Sequence, residues 1–223
     1  MISENLRKVE QEVQKACALA SRQRESVTLV AVTKTVDLET TIEVVTNGVT
    51  DCAENRVEPF LAKKEAMKDL NVTWHFIGNL QRRKVKHVIN EVDYFHALES
   101  LSLANEIQKR ATKKIRCFIE VNVSGEESKQ GIEPSELSSF VEQLSEFDKV
   151  EIVGLMTMAP FQSTKSEQRD VFLQLRNLQK SIEAQQLTYA PCHELSMGMS
   201  NDYTVAIEEG ATFIRVGTAL VKE

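Results

Sequence analysis

Eight short runs rich in β-branched and aromatic residues, each followed by a longer stretch of helical periodicity, restrict the fold of these 223 residues more than any other feature. The runs are LVAVT from Leu29, VTDCA from Val49, HFIG from His75, YFHAL from Tyr94, RCFIEVNV from Arg116, EIVGLMTM from Glu151, HELSM from His193 and FIRVG from Phe213. Helical segments are expected over Asp37–Asn47, Arg56–Asp69, Leu101–Thr112, Pro134–Phe147, Ser166–Gln185 and Asp202–Glu209, with an amphipathic segment opening at Gln81–His87. An extra N-terminal helix precedes the first strand, because Ile2, Leu6, Val9, Val13, Ala16 and Ala20 recur at spacings of three and four. Gly48 and Gly210 fall where C-terminal caps belong, and Pro134 where a helix starts. Strands alternating with helices pair in parallel through right-handed crossovers, and a count of eight favours closure into a (β/α)₈ TIM barrel of the α/β class. One domain over residues 1–223 is the expectation.

Charge and cysteine usage remove several classes of function. A net charge of −6 disfavours a general phosphate-backbone binder, so no nucleic acid is expected as a partner. The local cationic stretch Gln81–His87 reads as a solvated helix face. Cys17, Cys52, Cys117 and Cys192 lie far apart without a C-x-x-C pair, which fits reduced thiols in a cytoplasmic protein and indicates neither zinc nor disulfides. The charged first turn resembles no signal peptide, and no apolar run is long enough to span a bilayer. No membrane association is expected, and no heptad seam calls for a partner chain, so a monomer is expected.

The chemistry gathers at the expected carboxyl ends of the strands. Lys34 closes the run LVAVTKT, where an ammonium must be exposed, paired or neutral. A neutral lysine amine forms Schiff bases with carbonyl compounds. In such barrels, phosphates bind at the loops after strands seven and eight. Here those loops are Leu195–Asp202, LSMGMSND, and Arg215–Thr218, RVGT. Small residues let the backbone approach a ligand, Ser196 and Ser200 add hydroxyl donors, Gly217 exposes its N–H, Thr218 offers a hydroxyl and Arg215 supplies a cation. Pairing of Arg215 with an acid such as Glu194 is the bland alternative. Strand one neighbours strand eight in a closed barrel, so a lysine nucleophile and a phosphate cradle would share one mouth. That combination suggests pyridoxal 5′-phosphate.

Seven ordered blocks carry a resemblance: AVTKT from Ala31, AENRV from Ala53, HFIGNLQ from His75, VNVSGEESKQG from Val121, GLMTMAP from Gly154, LSMGMSNDY from Leu195 and GATFIRVGTAL from Gly210. Together they resemble the pyridoxal-phosphate homeostasis (YggS/PROSC) family over nearly the whole chain, a family similar in fold to the N-terminal barrel domain of alanine racemase. The resemblance implies that Lys34 is the Schiff-base lysine, that Ser196, Gly198, Met199, Ser200, Gly217 and Thr218 surround the phosphate, that Arg215 faces the pyridine nitrogen, and that Asn55 borders the ring. The chain departs from the family pattern at Ala53, at Arg83 and in its ALVKE end.

An arginine is an obligate donor, so a ring nitrogen facing it accepts and stays unprotonated, which weakens carbanion stabilisation. The expected role is therefore custody of the cofactor in vitamin B6 homeostasis without catalytic turnover, and no catalytic or metal-ligating residue is assigned. An amino-acid racemase is the competing class. It needs a second acid/base group opposite the lysine, and Tyr203, the nearest candidate, reads as a packing residue. His75, His96 and His193 read as core histidines rather than catalysts. A Schiff-base aldolase on a sugar phosphate would use the same lysine without a bound chromophore.

Overall fold

A computed structural model describes residues 1–127 and 129–222, so Ser128, inside the VNVSGEESKQG block, and Glu223, in the ALVKE end, lie outside the described residues. Strands β1 (Thr28–Val32), β2 (Asp51–Glu54), β3 (Thr73–Phe76), β4 (Tyr94–Leu98), β5 (Ile115–Glu120), β6 (Val150–Met156), β7 (Glu194–Ser196) and β8 (Phe213–Val216) close into one barrel in chain order. Each pairs in parallel with its neighbours, and β8 returns to β1 with Val30 opposite Arg215. The helices are α1 (Ile2–Leu19), α2 (Leu38–Thr46), α3 (Val57–Ala66), α4 (Val85–Val88), α5 (Leu101–Arg110), α6 (Leu137–Gln143), α7 (Lys165–Glu183), α8 (Tyr203–Glu208) and α9 (Thr218–Val221). The expected (β/α)₈ barrel with a leading helix is what forms. No described helix is long and apolar enough to cross a membrane.

Strand alternation sorts the residues into two cores. Leu29, Ala31, Cys52, Phe76, Phe95, Cys117, Ile119 and Ile214 face outward and join the helices in a continuous apolar sleeve. Val30, Val32, Ala53, Phe118, Val153, Met156 and Phe213 face inward with Tyr94 packed against them. Both faces are dry, which is why the strands read as apolar runs rather than as an alternating pattern.

Helix ends follow local chemistry. Asp37 caps α2 by accepting from Thr40 N–H at 2.9 Å, and Thr164 with Glu167 forms a capping box on α7. Gly48 and Gly210 adopt positive φ at the expected helix ends. The helix expected over Pro134–Phe147 is split, since 3₁₀ turns at Pro134–Glu136 and Leu144–Glu146 flank α6. Its buried face, Leu137, Phe140, Val141 and Leu144, keeps helical spacing, so periodicity reported burial while the hydrogen bonds tightened at both ends. At the basic stretch, Val85 and Val88 are buried while Arg82, Arg83, Lys86 and His87 face solvent. The helix α1 joins the two ends of the chain: Asn5 Nδ2 donates to Leu220 O and Lys222 O, and the Tyr203 hydroxyl donates to Glu12. Tyr203 is thus a packing residue, as its sequence context suggests.

Candidate functional site

Two lysines divide the labour at the end of β1. The strand stops at Val32, and Lys34 lies beyond it on an exposed turn, not within a buried strand end. The buried ammonium belongs to Lys63 of α3, which is 7% exposed and donates to Glu54 Oε1 at 2.6 Å, Thr33 O at 2.7 Å and Val36 O at 2.9 Å. Thr33 Oγ1 also donates to Glu54 Oε1, at 2.7 Å. A desolvated ion pair is tolerable only when its remaining hydrogen-bonding capacity is used, and here the acceptors saturate the ammonium. The result is a turn pinned at Thr33 and Val36, with Lys34 and Thr35 exposed between the pins. Lys34 makes no side-chain hydrogen bond or ion pair among the described residues.

The turns after β7 and β8 meet beside it. In the first, Gly198 has φ +98°, and a Cβ there would approach Ala206 Cβ to 2.6 Å, so only glycine lets the turn lie on α8. Arg215 N–H donates to Gly198 O at 2.9 Å, binding this turn to β8. Ser200 Oγ accepts from both Gly217 N–H and Ala219 N–H at 3.2 Å, so two amides of the second turn converge on one oxygen. Met199 N–H is already engaged by Asp202 Oδ1 at 2.7 Å. Thr218 is exposed at the start of α9. Gly217 packs on the last residue of β1, its Cβ direction meeting Val32 at 3.4 Å, which puts the Lys34 turn and the double turn on one stretch of rim. Asn55 follows β2 on the same rim, half-buried beside Gly78.

Arg215 sits beneath these turns, 2% exposed. Its guanidinium donates to Ser196 Oγ at 2.5 Å and to Thr157 O at 3.1 Å, not to Glu194. Three of its five N–H groups have no partner among the described residues. Burial lowers its pKa to about 10, with Asp202 and Glu120 pulling upward, so it stays cationic at neutral pH. Ser196 departs from expectation. It is fully buried, and its hydroxyl is committed to Arg215 and to His96 Nδ1 at 2.8 Å, because a strand residue pointing inward lies below the loops. Glu120, at the end of β5 and 6% exposed, has its carboxyl pushed up to about 7 by burial and by Glu99, against the pull of Arg215. Beyond it, buried Asn122 Oδ1 and Ser124 Oγ find no partner among the described residues.

The histidines behave unequally. His193 is exposed and pairs with Glu183 at 2.7 Å, whereas His75 and His96 are fully buried inside the barrel. The reading of His75 and His96 as core histidines holds, but it missed their connection to Arg215. Their inward register, one residue from the outward Phe76 and Phe95, was the available signal. Thr33, Glu54 and Lys63 were missed as well. Thr33 and Glu54 lie within the AVTKT and AENRV blocks and Lys63 lies six residues beyond the second, but only packing brings Lys63 under the turn.

Comparison with known proteins bears on the family and the fold. The family profile described as "Alanine racemase, N-terminal domain" matches residues 5–223. A pyridoxal phosphate homeostasis protein of Aquifex aeolicus is 44% identical over 223 residues, covering 99% of this chain and 97% of the relative. The structure of PipY from Synechococcus elongatus with PLP bound is 33% identical, with TM-score 0.85 and 99% of each chain covered. A protein from Bifidobacterium adolescentis, described as unknown, has TM-score 0.93 at 32% identity over 98% of this chain and 94% of its own. With the barrel fold and near-complete coverage in agreement, the chain belongs to the alanine racemase N-terminal domain family and, within it, to the pyridoxal phosphate homeostasis proteins.

Proposed function

We propose that this chain holds pyridoxal 5′-phosphate covalently on Lys34 at the barrel mouth and serves in the homeostasis of that cofactor, as a cytoplasmic monomer. The observation that carries the reading is the contact of Gly217 with Val32, which sets the exposed Lys34 turn beside two amides converging on Ser200 Oγ. The donor set fits the group. The Ser200 hydroxyl, which accepts from two amides and keeps its own hydrogen to donate, and the exposed Thr218 hydroxyl suit phosphate oxygens. An exposed amine suits an aldehyde, and a buried arginine with unused N–H donors suits a pyridine nitrogen. PipY of Synechococcus elongatus, whose structure has PLP bound, supports the choice of cofactor. The four cysteines are buried and unpaired, consistent with a reducing compartment.

Each residue then has a task. Lys63 and Glu54 fix the turn that presents Lys34. Gly198, Met199, Ser200, Gly217 and Thr218 surround the phosphate, and Asn55 borders the ring. Arg215 donates to the ring nitrogen, and Ser196 holds Arg215 in place rather than touching phosphate. When bound, the cofactor supplies an electron-withdrawing ring and a visible chromophore. Against a permanent donor the ring nitrogen stays unprotonated, which favours custody over carbanion chemistry.

The test is an absorption spectrum of the protein with added pyridoxal 5′-phosphate, before and after borohydride, followed by peptide mapping. The expected result is a reducible chromophore that maps to Lys34 and disappears in Lys34→Ala. A reducible adduct that persists in Lys34→Ala, or maps elsewhere, overturns the assignment.

A further inference from the structure

Inside the barrel, below the rim, polar groups from five strands form one unbroken chain. Asp51 Oδ1 of β2 lies 2.8 Å from His75 Nε2 of β3, and His75 Nδ1 lies 2.8 Å from His96 Nε2 of β4. His96 Nδ1 lies 2.8 Å from Ser196 Oγ of β7, which receives Arg215 Nη1 of β8 at 2.5 Å. His75 stacks on Tyr94 with ring centroids 4.8 Å apart, and His96 stacks on Phe118 at 4.4 Å. The two imidazoles are thus held in place and insulated laterally by aromatic rings.

The ends of this chain fix its direction. Arg215 only donates, so Ser196 Oγ accepts from it; the Asp51 carboxylate only accepts, so His75 Nε2–H donates to it. With neutral rings, His75 Nδ1 is then an acceptor, His96 Nε2–H donates to it, His96 Nδ1 is an acceptor, and the Ser196 hydroxyl donates there. Every bond is satisfied by a single assignment, with both rings in the Nε2–H tautomer. Burial, with smaller contributions from the neighbouring His75 and then Arg215, holds His96 far toward its neutral form. The groups facing the rings are Asp51, Tyr94 and Arg215, with Arg116 stacked over Tyr94 at 4.1 Å and Glu194 also near Tyr94. Asp51 opens on a groove at the amino ends of the strands, also lined by Thr28, Asn47 and Thr50.

We propose that Asp51, His75 and His96 are positioning residues, a one-way hydrogen-bond relay that acts through Ser196 to set where the Arg215 guanidinium donates. This rests on the proposed role of Arg215 at the cofactor ring, and it extends control of that site to the opposite end of the barrel.

Two measurements separate this relay from the cofactor assignment. Long-range ¹H–¹⁵N spectra of the full chain without added cofactor read the tautomers directly. Both His75 and His96 are expected as Nε2–H, and an Nδ1–H signal from either neutral ring overturns the relay. The second measurement titrates pyridoxal 5′-phosphate into His96→Gln and His96→Phe, following absorbance and the Arg215 side-chain resonances. Glutamine offers an acceptor and a donor in series and is expected to stay near wild type. Phenylalanine keeps the ring stack, interrupts the relay, and is expected to weaken binding about three- to tenfold with displaced Arg215 signals. Equal affinity and unmoved Arg215 signals in both variants overturn the coupling. Absence of any chromophore in the wild-type chain would fail the cofactor assignment while leaving the tautomer result standing.

Discussion

The sleeve between strands and helices and the column inside the strands are built from alternate residues of the same eight segments, yet they solve different problems. In the sleeve, Phe60 packs edge-on against Trp74 and Phe76, with centroids 5.6 and 6.1 Å apart, among aliphatic side chains and buried thiols. Its stabilisation comes mainly from area and close packing. The column holds aromatic rings at its base but also two histidines, a serine and an arginine, each needing a partner in a dry place. It trades packing freedom for fixed donor and acceptor directions at the rim. The sleeve makes the barrel stable, and the column makes one end of it specific.

Substitutions can break or sharpen that contrast. The largest expected loss lies in the sleeve: Phe60→Ala should cost about 3–5 kcal/mol in urea unfolding, because the void sits between two rings that cannot collapse. Next comes the buried ion pair at the rim. Lys63→Met strands the Glu54 carboxylate and should cost about 3 kcal/mol, whereas Lys63→Met combined with Glu54→Gln should recover much of that loss. A double variant no better than the single would show that the loss does not come from the stranded carboxylate.

Glu120→Gln should have the opposite sign. Glu120 is pushed up to about 7 from an ordinary value near 4.5, so the folded chain binds the extra proton between those pH values and wild-type stability falls as pH rises through the window. Glutamine removes that penalty, giving about 1–3 kcal/mol of added stability at pH 8 and little difference below pH ~4.5. A constant difference across that range would mean that Glu120 does not titrate as described. The smallest stability effect is expected at Lys34→Ala, within about 0.5 kcal/mol of wild type, since the side chain is exposed and has no partner among the described residues. That residue is also the one whose loss should abolish covalent cofactor binding.

Much of this organisation was legible in the residue order. Eight β-type runs with intervening periodic segments led to the closed barrel, and glycine and serine after the last two runs marked the turns that meet at the rim. The residue order left open what a residue's surroundings, not its neighbours in sequence, decide. Lys34 and Lys63 are both lysines near apolar residues, and only the fold of α3 onto the first turn shows which of them is buried and paired. Ser196 sits in a phosphate-like LSMGMS block, but its inward register commits the hydroxyl to the barrel interior.

Local covalent order settled the segment types, their caps and the glycine that the β7 turn requires, because backbone preference and side-chain periodicity act over a few residues. Closure of the barrel settled the rest: Asp51, His75, His96, Ser196 and Arg215 come from five different strands yet bond in series. Hydrogen bonds between buried groups depend on distance and direction in space, and those are fixed only when parallel strands bring their inward faces around a common axis.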